Sequence, residues 1–386
     1  MDKKYYKPTE EKYQELAEEK SRFIKKFSEE LEGRGIIQRH RKIKQAGTLA
    51  IAAFHLIVKN LSFRRLSIEM ASKYEIKMTG TAWEKQLMKS GEIIKKVAEE
   101  ICQMKGREKS QEKAEKAEKT EKTLKARKKP KTIYLVDATN ISEAGKKGAS
   151  IRLHCSYNLK RQDIDEIHIS DWHKGESMCN FTIHPDGLYI ADRAYGKAKQ
   201  MAYVLENKGN FLFRITPNNI CLYADSKCEN KVSFPEMLRN TKYTKLDFSC
   251  FFKYNKKTYP VRVKALKIPT NKLEKVERKQ KRKQQKKQYK SSENTALFNE
   301  WVILVTSLGE KYMRFFHMYT KRWQIELLFK RSKTFFCFRK IRYSSQRYAY
   351  TMTYLWSAMI LIASHLASRS TLHLFDFFSL FASSFA

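Results

Sequence analysis

The tract of residues 104–131 constrains the fold of this chain more than any other stretch, because it separates two parts with different periodicities. It contains EKSQEKAEKAEKTEKTLKARKKPK, which lacks apolar anchors, repeats Glu and Lys and ends in a basic run. Such a composition is typical of a solvated helix or a flexible linker at a domain boundary. We therefore predict a charged linker at 104–131 that separates a helical domain at 1–103 from a second domain.

The residues before the linker show helical patterns throughout. Residues 46–58 (AGTLAIAAFHLIV) are apolar on nearly all sides and are predicted to be buried. Ser62 is suited to cap a helix over 63–74, and a second helix opens near residue 81 with capping-box spacing. The two helices fit either an ordinary helical bundle or a DNA-binding helix-turn-helix. In the second case four side chains would enter a major groove: Trp83, Lys85, Gln86 and Lys89.

The residues after the linker switch to short apolar runs with strand periodicity, so an α/β fold is expected. A helix is predicted at 197–206. An irregular insertion at 217–299 contains short strands and a lysine–glutamine tract that we interpret as a basic arm. The run at 187–191 (GLYIA) is unbroken and fits a strand buried on both faces. The predicted strands are 132–136, 151–157, 164–169, 187–191, 210–215 and 300–307.

The segment 312–333 (YMRFFHMYTKRWQIELLFKRSK) predicts a helix that follows the last strand. At 100° per residue, one carboxylate shares a face about a quarter of a turn wide with three cations and a tyrosine hydroxyl. This face places a candidate metal ligand among groups that bind phosphate, although a solvated face with helix-spaced ion pairs has the same spacing. The residues on this face are Tyr319, Arg322, Glu326, Lys330 and Lys333.

The charge of the chain indicates a polyanionic partner. The formal net charge is +37 and the pI is near 9.8, and nucleic acid is the leading candidate for such a partner. Hydrophobic residues make up 42% of the chain, which excludes a disordered protein. The seven cysteines are odd in number and form no CxxC pair. We therefore expect reduced thiols in a cytosolic protein rather than a disulfide framework or a zinc site.

No attachment to a membrane is expected. The N-terminus has no apolar stretch of the kind found in secretory signals. Residues 349–368 carry no full charge over a length that could span a bilayer, but they include several hydroxyl side chains and a histidine. We therefore predict a packed C-terminal helix rather than a membrane span.

Three carboxylates stand at positions suited to a metal site. Asp137 and Asp192 each end an apolar strand, and Glu326 lies on the helix after the last strand. Hard oxygen ligands beside basic groups fit Mg²⁺, whose remaining positions water and phosphate oxygens would fill. Two such ions stabilise the attacking and leaving oxygens of a phosphoryl displacement. Either aspartate by itself could instead cap a turn or a helix.

Several motifs together resemble the insertion-sequence-four family of DNA transposases, which includes the transposon-five transposase. The spacing Y-x2-R-x3-E-x6-K over residues 319–333 resembles the Y-R-E-K motif of that family. DAT at 137–139 resembles its first-aspartate motif, and DRAYG at 192–196 resembles its second. RLH at 152–154 and GE at 175–176 are similar to two further short motifs of the family.

The resemblance implies a ribonuclease-H-like catalytic domain over 132–345, a mixed sheet flanked by helices with a mostly β insertion at about 217–299. The all-α domain precedes it, and a helical tail at 346–386 follows. The resemblance also implies that Asp137, Asp192 and Glu326 form a catalytic DDE triad that binds two Mg²⁺ ions, for which Mn²⁺ can substitute. The DNA contacts that it implies are Tyr319, Arg322, Lys330, Lys333, Arg193 and, as a base-stacking side chain, Trp301.

The function predicted on these grounds is cut-and-paste transposition of an insertion sequence in the prokaryotic cytoplasm, at the nucleoid. The expected partners are double-stranded DNA, as terminal inverted repeats and as target, and a second copy of the chain in a homodimeric synaptic complex. Two alternatives stay open: a metal-dependent nuclease of the same fold, and a catalytically inactive DNA-binding regulator derived from such an element. The second rests on a short, phenylalanine-rich C-terminus with no visible dimerisation helix.

Overall fold

The computed structural model describes residues 10–37, 42–117, 130, 132–143, 150–287, 292–309, 315–336, 340–341 and 345–369. The protein divides into two compact units. Unit 1 combines Met1–Lys125, Ala138–Lys174 and Ile325–Ala386, and unit 2 combines Ala126–Asp137 and Gly175–Gln324. Each unit is therefore built from separated stretches of the chain, and the domain boundaries given above stay a prediction.

The helices and strands occur in the predicted order. The helices are α1 (Glu10–Gly33), α2 (Gly47–Val58), α3 (Phe63–Tyr74), α4 (Gly80–Ala117), α5 (Ala198–Glu206), α6 (Phe234–Asn240), α7 (Thr270–Lys287), α8 (Glu293–Asn299), α9 (Phe315–Thr320), α10 (Trp323–Phe335) and α11 (Gln346–Arg369). The strands are β1 (Thr132–Glu143), β2 (Ile151–Asn158), β3 (Asp163–Asp171), β4 (Gly187–Ala191), β5 (Asn210–Arg214), β6 (Lys245–Tyr254), β7 (Lys257–Lys267), β8 (Trp301–Thr306) and β9 (Lys340–Ile341).

Unit 2 is organised around a sheet in which β1, β4 and β5 are parallel neighbours. Strand β8 pairs antiparallel with β5, and β7 and β6 follow antiparallel in turn. All five residues of β4 are buried, as its unbroken apolar sequence predicts, because both of its faces are covered. The same apolar core includes Met201 of α5 and Phe234 of α6.

Strand β1 belongs to both units, because residues up to Asp137 lie in unit 2 and the residues from Ala138 onward lie in unit 1. In unit 1, β2 and β3 form an antiparallel pair, and the end of β1 pairs with β9. The pairings therefore connect into the strand order β3-β2-β1-β4-β5-β8-β7-β6. This mixed sheet with flanking helices, preceded by a helical region, confirms the predicted ribonuclease-H-like α/β fold class.

The insertion between β5 and β8 contains more helix than the sequence predicts. It contributes β6 and β7 to the sheet, but it also forms α6, α7 and α8. The lysine–glutamine tract lies largely in α7, where Leu273, Val276 and Gln280 are half-buried while Lys272 and Arg278 are exposed. Lys, Gln, Glu and Arg are strong helix formers. In addition, about one side chain in each turn of α7 is half-buried, which stabilises the helix against the rest of unit 2. The expectation of a mostly β insertion is therefore wrong, because its helices contain more residues than its strands.

The helical turn before α4 is built from local caps. The Ser62 hydroxyl accepts the Arg65 amide at 3.3 Å, as predicted, and α3 ends at Glu75 in the left-handed conformation. Helix α4 begins at Gly80, and the Thr79 hydroxyl accepts the Ala82 amide at 3.3 Å. The N-terminal cap of this helix therefore lies two residues before the capping-box position that the sequence suggests.

The prediction that Trp83 enters a DNA groove is wrong, because its side chain is fully buried in the helical core. It begins an inward-facing series on α4 that continues with Leu87 and Ile94. Lys85 and Lys89 are exposed, so their contact with DNA stays a prediction. Helix α4 also continues past residue 103 to Ala117, so the first part of the charged tract is helical.

Helix α11 is the packed C-terminal helix that the sequence predicts. The Ser364 hydroxyl accepts the Ile164 amide of β3 at 3.1 Å, and the Cys102 thiol of α4 lies 3.8 Å from the Leu361 carbonyl. Within the described ranges, no helix is both long and apolar enough to cross a membrane. The cysteines in these ranges are free thiols, as predicted. The phenylalanine-rich C-terminus lies outside the described residues.

His154 of β2 is a buried histidine whose proton affinity differs strongly from that of an exposed one. Its side chain is fully buried and its Nε2 atom lies 3.0 Å from the Ser170 hydroxyl. Burial, followed by the nearby charges of Arg152 and Lys174, lowers the pKa of His154 to about 4. The imidazole is therefore neutral at physiological pH.

We expect His154 to make the free energy of unfolding depend on pH. Below about pH 6.5 the unfolded chain binds a proton that the folded chain does not bind until about pH 4. Stability therefore falls as the pH drops through this window, by roughly 3 kcal/mol in all. Urea unfolding at pH 7 and pH 4.5 measures the loss. His154→Asn should reduce the difference, and His173→Asn, at an exposed side chain, should not. An equal pH dependence in the parent and His154→Asn would contradict this account.

Candidate active site

The predicted helix over 312–333 is interrupted inside the motif that it carries. Residues 312–314 lie outside the described residues, and a two-residue turn separates α9 from α10. In this turn the Arg322 amide donates to the Tyr319 carbonyl at 3.0 Å, a spacing of three residues rather than four. A single helical wheel is therefore wrong for Tyr319 and Arg322. Within α10 it still applies, so Glu326 and Lys333 share a face.

Asp137 does not end its strand as predicted, because β1 continues to Glu143, whereas Asp192 directly follows β4. The parallel register of β1 and β4 pairs Leu135 with Ile190. Extended by two residues, this register puts Asp137 and Asp192 in step, and residues in step on parallel strands, about 4.8 Å apart, point to the same face. We therefore expect the two carboxylates to lie near each other where β4 ends.

Asp137 is held by an arginine of the Y-R-E-K segment. The Nη1 atom of Arg322 lies 3.4 Å from Oδ2 of Asp137, and the side chains are 16% and 15% exposed, respectively. Because both side chains are largely shielded from water, their mutual attraction is strengthened by the low local dielectric. If either partner is removed, the other is left as an uncompensated charge, which lowers the stability of the protein. The pair therefore fixes the turn between α9 and α10 against the middle of β1.

Arg214 is a site residue that the sequence analysis missed. It ends β5, and the register of β4 and β5 pairs Ala191 with Phe213, so the next residues, Asp192 and Arg214, are neighbours. The signal in the sequence was a cation at the end of an apolar strand (NFLFR), directly after the strand that ends at Asp192. Strand order was needed to use it, because the sequence does not state which strands are adjacent.

Three guanidinium groups and one phenol gather around Asp192. Burial, followed by the charge of Arg214, lowers the pKa of Arg193 to about 10. Burial also lowers the pKa of Arg214, which hydrogen-bonds to Tyr319, and it raises the pKa of the Tyr319 phenol. The Arg322 guanidinium carbon lies 5.7 Å from the centre of the Tyr319 ring. This cluster concentrates positive charge in a partly desolvated place, where an anion such as a phosphodiester would be attracted.

The DRAYG sequence forms the turn that presents Asp192. One carboxylate oxygen of Asp192 accepts the Ala194 amide at 2.9 Å, and Tyr195 is fully buried. A Cβ atom on Gly196 would lie 2.6 Å from the Arg214 carbonyl oxygen, closer than real contacts allow. Glycine is therefore required where this turn packs on the end of β5, and the close approach ties Asp192 to Arg214.

Glu326, Lys330 and Lys333 lie on α10 in unit 1. Glu326 is in the first turn of the helix and Lys333 is in the last, the arrangement that suits the helix dipole. The Lys333 ammonium donates to the Thr139 hydroxyl at 2.7 Å and to the Asn140 carbonyl at 3.0 Å. Lys330 is exposed. Lys333 therefore attaches α10 to β1 just after Asp137, a role that the sequence did not suggest.

Trp301 is placed differently from the base-stacking role that the resemblance implies. It is 1% exposed and starts β8 on an inward-facing position of the unit 2 core. The Lys267 ammonium lies 5.9 Å from its ring centre. A base cannot stack on a ring in this position, so the structure contradicts the proposed contact. Trp323, at the start of α10, is instead 58% exposed.

The donor set fits a hard divalent cation. Carboxylate oxygens are the ligands that Mg²⁺ prefers. Asp137 and Asp192 offer two such side chains in unit 2, and Glu326 is a further carboxylate on α10 in unit 1. Taken unit by unit, the described residues contain no group of three His, Cys, Asp or Glu side chains with ligand atoms within 4.8 Å of one another.

A family model and several known proteins match part of this chain. A family model described as "Transposase DDE domain" matches residues 128–362. The chain is 26% identical over 212 residues to the putative transposase InsL for insertion sequence element IS186A of Escherichia coli (strain K12), a match that covers 53% of this chain and 57% of that protein. The transposase for insertion sequence element IS421 of Escherichia coli matches with the same identity and coverage.

The chain thus spans a little more than half the length of the curated relatives it matches. Among solved structures, a piggyBac transposase in a synaptic complex with hairpin DNA aligns with a TM-score of 0.46 and 10% sequence identity. That alignment covers 94% of this chain and 76% of the other.

Proposed function

This chain belongs to the transposase DDE domain family, and from that premise we propose that it catalyses cut-and-paste transposition of an insertion sequence. The observation that carries the proposal is the parallel pairing of β1 with β4, whose register leads on to Asp137 and Asp192, together with the cluster of Arg193, Arg214 and Arg322 near these acids. Paired carboxylates beside an anion-attracting cluster are what phosphoryl transfer on DNA requires. The Y-R-E-K spacing supports placing the chain in the insertion-sequence-four family.

Asp137, Asp192 and Glu326 are the proposed catalytic triad and would hold two Mg²⁺ ions, or Mn²⁺ in their place. When bound, such ions supply Lewis-acid stabilisation of the charge that develops on the attacking and leaving oxygens. Glu326 follows Arg322 by four residues in the sequence, and Arg322 contacts Asp137 within unit 2.

The basic residues are proposed to bind and orient the DNA backbone. Arg193, Arg214 and Arg322 would hold the non-bridging oxygens of the scissile phosphate, and the Tyr319 phenol, which stays protonated, would donate a hydrogen bond. Water then attacks phosphorus, the bond to the 3′-oxygen breaks, and a 3′-hydroxyl remains. In the joining step that hydroxyl attacks a second phosphodiester: a new bond forms between its oxygen and phosphorus, the bond from phosphorus to the 3′-oxygen of the attacked strand breaks, and that strand leaves with a 3′-hydroxyl. No side chain becomes covalently attached to DNA.

The partners and organisation are proposed on the same basis. The net charge of +37 suits double-stranded DNA, first as the terminal inverted repeats and then as the target. Residues 1–103 would bind the element ends and residues 132–345 would carry catalysis. Because two ends are joined in one event, we propose a homodimeric synaptic complex that acts in the cytoplasm, with Lys330 and Lys85 as further phosphate contacts.

The test is cleavage of labelled DNA that carries the element's own ends, with Mg²⁺ and with chelator. We expect metal-dependent nicks at the element boundary, followed by joining of the 3′-end to a second DNA. Cleavage without end specificity or joining would assign the chain as a nuclease. Specific binding with no cleavage would assign it as a DNA-binding regulator, and either result rejects the proposal.

We predict that Trp323, and not Trp301, stacks on a DNA base. Trp323→Ala should weaken binding to end DNA by about tenfold, because one stacked base contributes about 1–3 kcal/mol. Trp301→Phe should lower the unfolding temperature, since the ring is in the core, but leave affinity for end DNA unchanged. Fluorescence anisotropy and thermal unfolding measure the two effects. The assignment is wrong if Trp323→Ala binds like the parent.

A further inference from the structure

A groove in unit 1 lies between the third and fourth turns of α4 and the first turns of α11. It has a volume of about 610 Å³, within the roughly 300–1,000 Å³ of sites that bind small molecules. Gly91 forms part of the close contact beneath it, because a Cβ atom there would lie 2.8 Å from Cγ2 of Thr351. Thr351 is buried. The two helices therefore approach closely at the floor and leave the space above it open.

The walls of the groove combine aromatic rings with cations. Tyr350 and Tyr354 are half-buried, with ring centres 6.3 Å apart and planes inclined by 47°. Lys89 and Arg347 are exposed at the rim. Burial raises the pKa of both tyrosines, so the phenols are neutral hydrogen-bond donors at physiological pH. Aromatic faces flanked by cations are the arrangement that binds unstacked bases and their phosphates.

We propose that this groove binds an unpaired nucleotide of a DNA strand. The base would stack on Tyr350 or Tyr354, and Lys89 and Arg347 would bind the flanking phosphates. An unpaired nucleotide fits better than duplex DNA, because bases in a duplex are stacked on each other and offer no free face to a tyrosine. The proposal rests on the proposed function only in taking DNA as the partner. It adds a site separate from Asp137, Asp192 and Glu326.

One acid in the groove allows a test in which a substitution should increase the affinity for a nucleotide. Glu92 lies at the rim and is paired with Lys96 at 3.2 Å. A carboxylate beside a bound phosphate is repelled. Glu92→Gln should therefore strengthen nucleotide binding, whereas a merely structural groove would show no such gain.

The experiment uses the full chain and a single-stranded oligonucleotide that contains 2-aminopurine, compared with the same sequence in a duplex. Tyr350→Leu and Tyr354→Leu should each weaken single-strand binding by about tenfold and reduce quenching of the 2-aminopurine. Tyr350→Phe and Tyr354→Phe, which keep the ring, should retain most of the affinity. Glu92→Gln should raise affinity by about two- to threefold. Tyr243→Leu is the control, because that ring is 75% exposed and lies in unit 2.

Three outcomes would overturn the proposal. In the first, both leucine variants bind the single strand like the parent while they unfold at the parent's temperature. In the second, duplex binding falls by the same factor as single-strand binding, which would make the groove a contact for the duplex backbone. In the third, polyglutamate displaces the oligonucleotide from the parent, which would indicate a site for acidic peptides. End cleavage by the same proteins is scored separately, so failure of the proposed transposase activity is distinguishable from failure of the groove.

Discussion

Glu326→Gln is expected to abolish DNA cleavage while the protein still folds and binds the element ends. The substitution keeps the shape of the side chain and removes only its charge. A carboxylate that holds a catalytic cation contributes several kcal/mol to the transition state, so the cleavage rate should fall by about a thousandfold or more. Single-turnover cleavage of end DNA in Mg²⁺ measures the loss, and anisotropy at low salt confirms that binding persists.

The matched control for this substitution is Glu236→Gln. Glu236 also lies in the first turn of a helix, so removing its charge costs the same interaction with the helix dipole, about 0.3–1 kcal/mol. Glu236→Gln should cleave like the parent. Asp192→Asn should behave like Glu326→Gln, although Asp192 lies in the other unit. If Glu326→Gln cleaves at a rate near that of the parent, Glu326 is not a member of the catalytic triad.

The strands of the fold could be predicted because their sequences allow few alternatives. An unbroken run such as GLYIA must be buried on both faces, and Asp192 ends it because an unpaired acid cannot continue into a core. The order and register of the strands depend on contacts between distant residues, which no local pattern contains. The sequence therefore identified Asp137 and Asp192 as candidates, but only the pairing of β1 with β4 places them on adjacent parts of one sheet.

The errors at tryptophan positions share one cause. Trp83 and Trp301 were assigned to DNA from their place in a motif, yet both are buried. A large aromatic ring gains more from a core than from solvent, and which face of an element is covered depends on the rest of the fold. Trp323 stayed unnoticed because it belongs to none of the motifs, and its exposure of 58% is visible only in the structure.

Arg214→Met is expected to reduce cleavage of end DNA strongly while leaving the protein as stable as the parent or more so. Arg214 is half-buried near the charges of Arg193 and Arg322. Desolvation, with a smaller contribution from the charge of Arg322, lowers its pKa, so its charge is unfavourable in the folded protein. Removing the charge relieves this cost. A bound phosphate needs the charge, and loss of one such group costs about a hundredfold in rate. In Arg214→Met the single-turnover cleavage rate should therefore fall, while the unfolding temperature should stay the same or rise.

Two variants separate this role from a general loss of positive charge. Arg214→Lys keeps the charge but not the planar donor array, so it should recover part of the rate and none of the stability gain. Arg239→Met removes an exposed arginine from the same unit, where it bonds to Asn294, and should leave cleavage unchanged. If Arg214→Met instead lowers the unfolding temperature and the rate together, Arg214 supports the fold rather than the phosphate. An intact rate in a stable Arg214→Met protein would remove Arg214 from the site altogether.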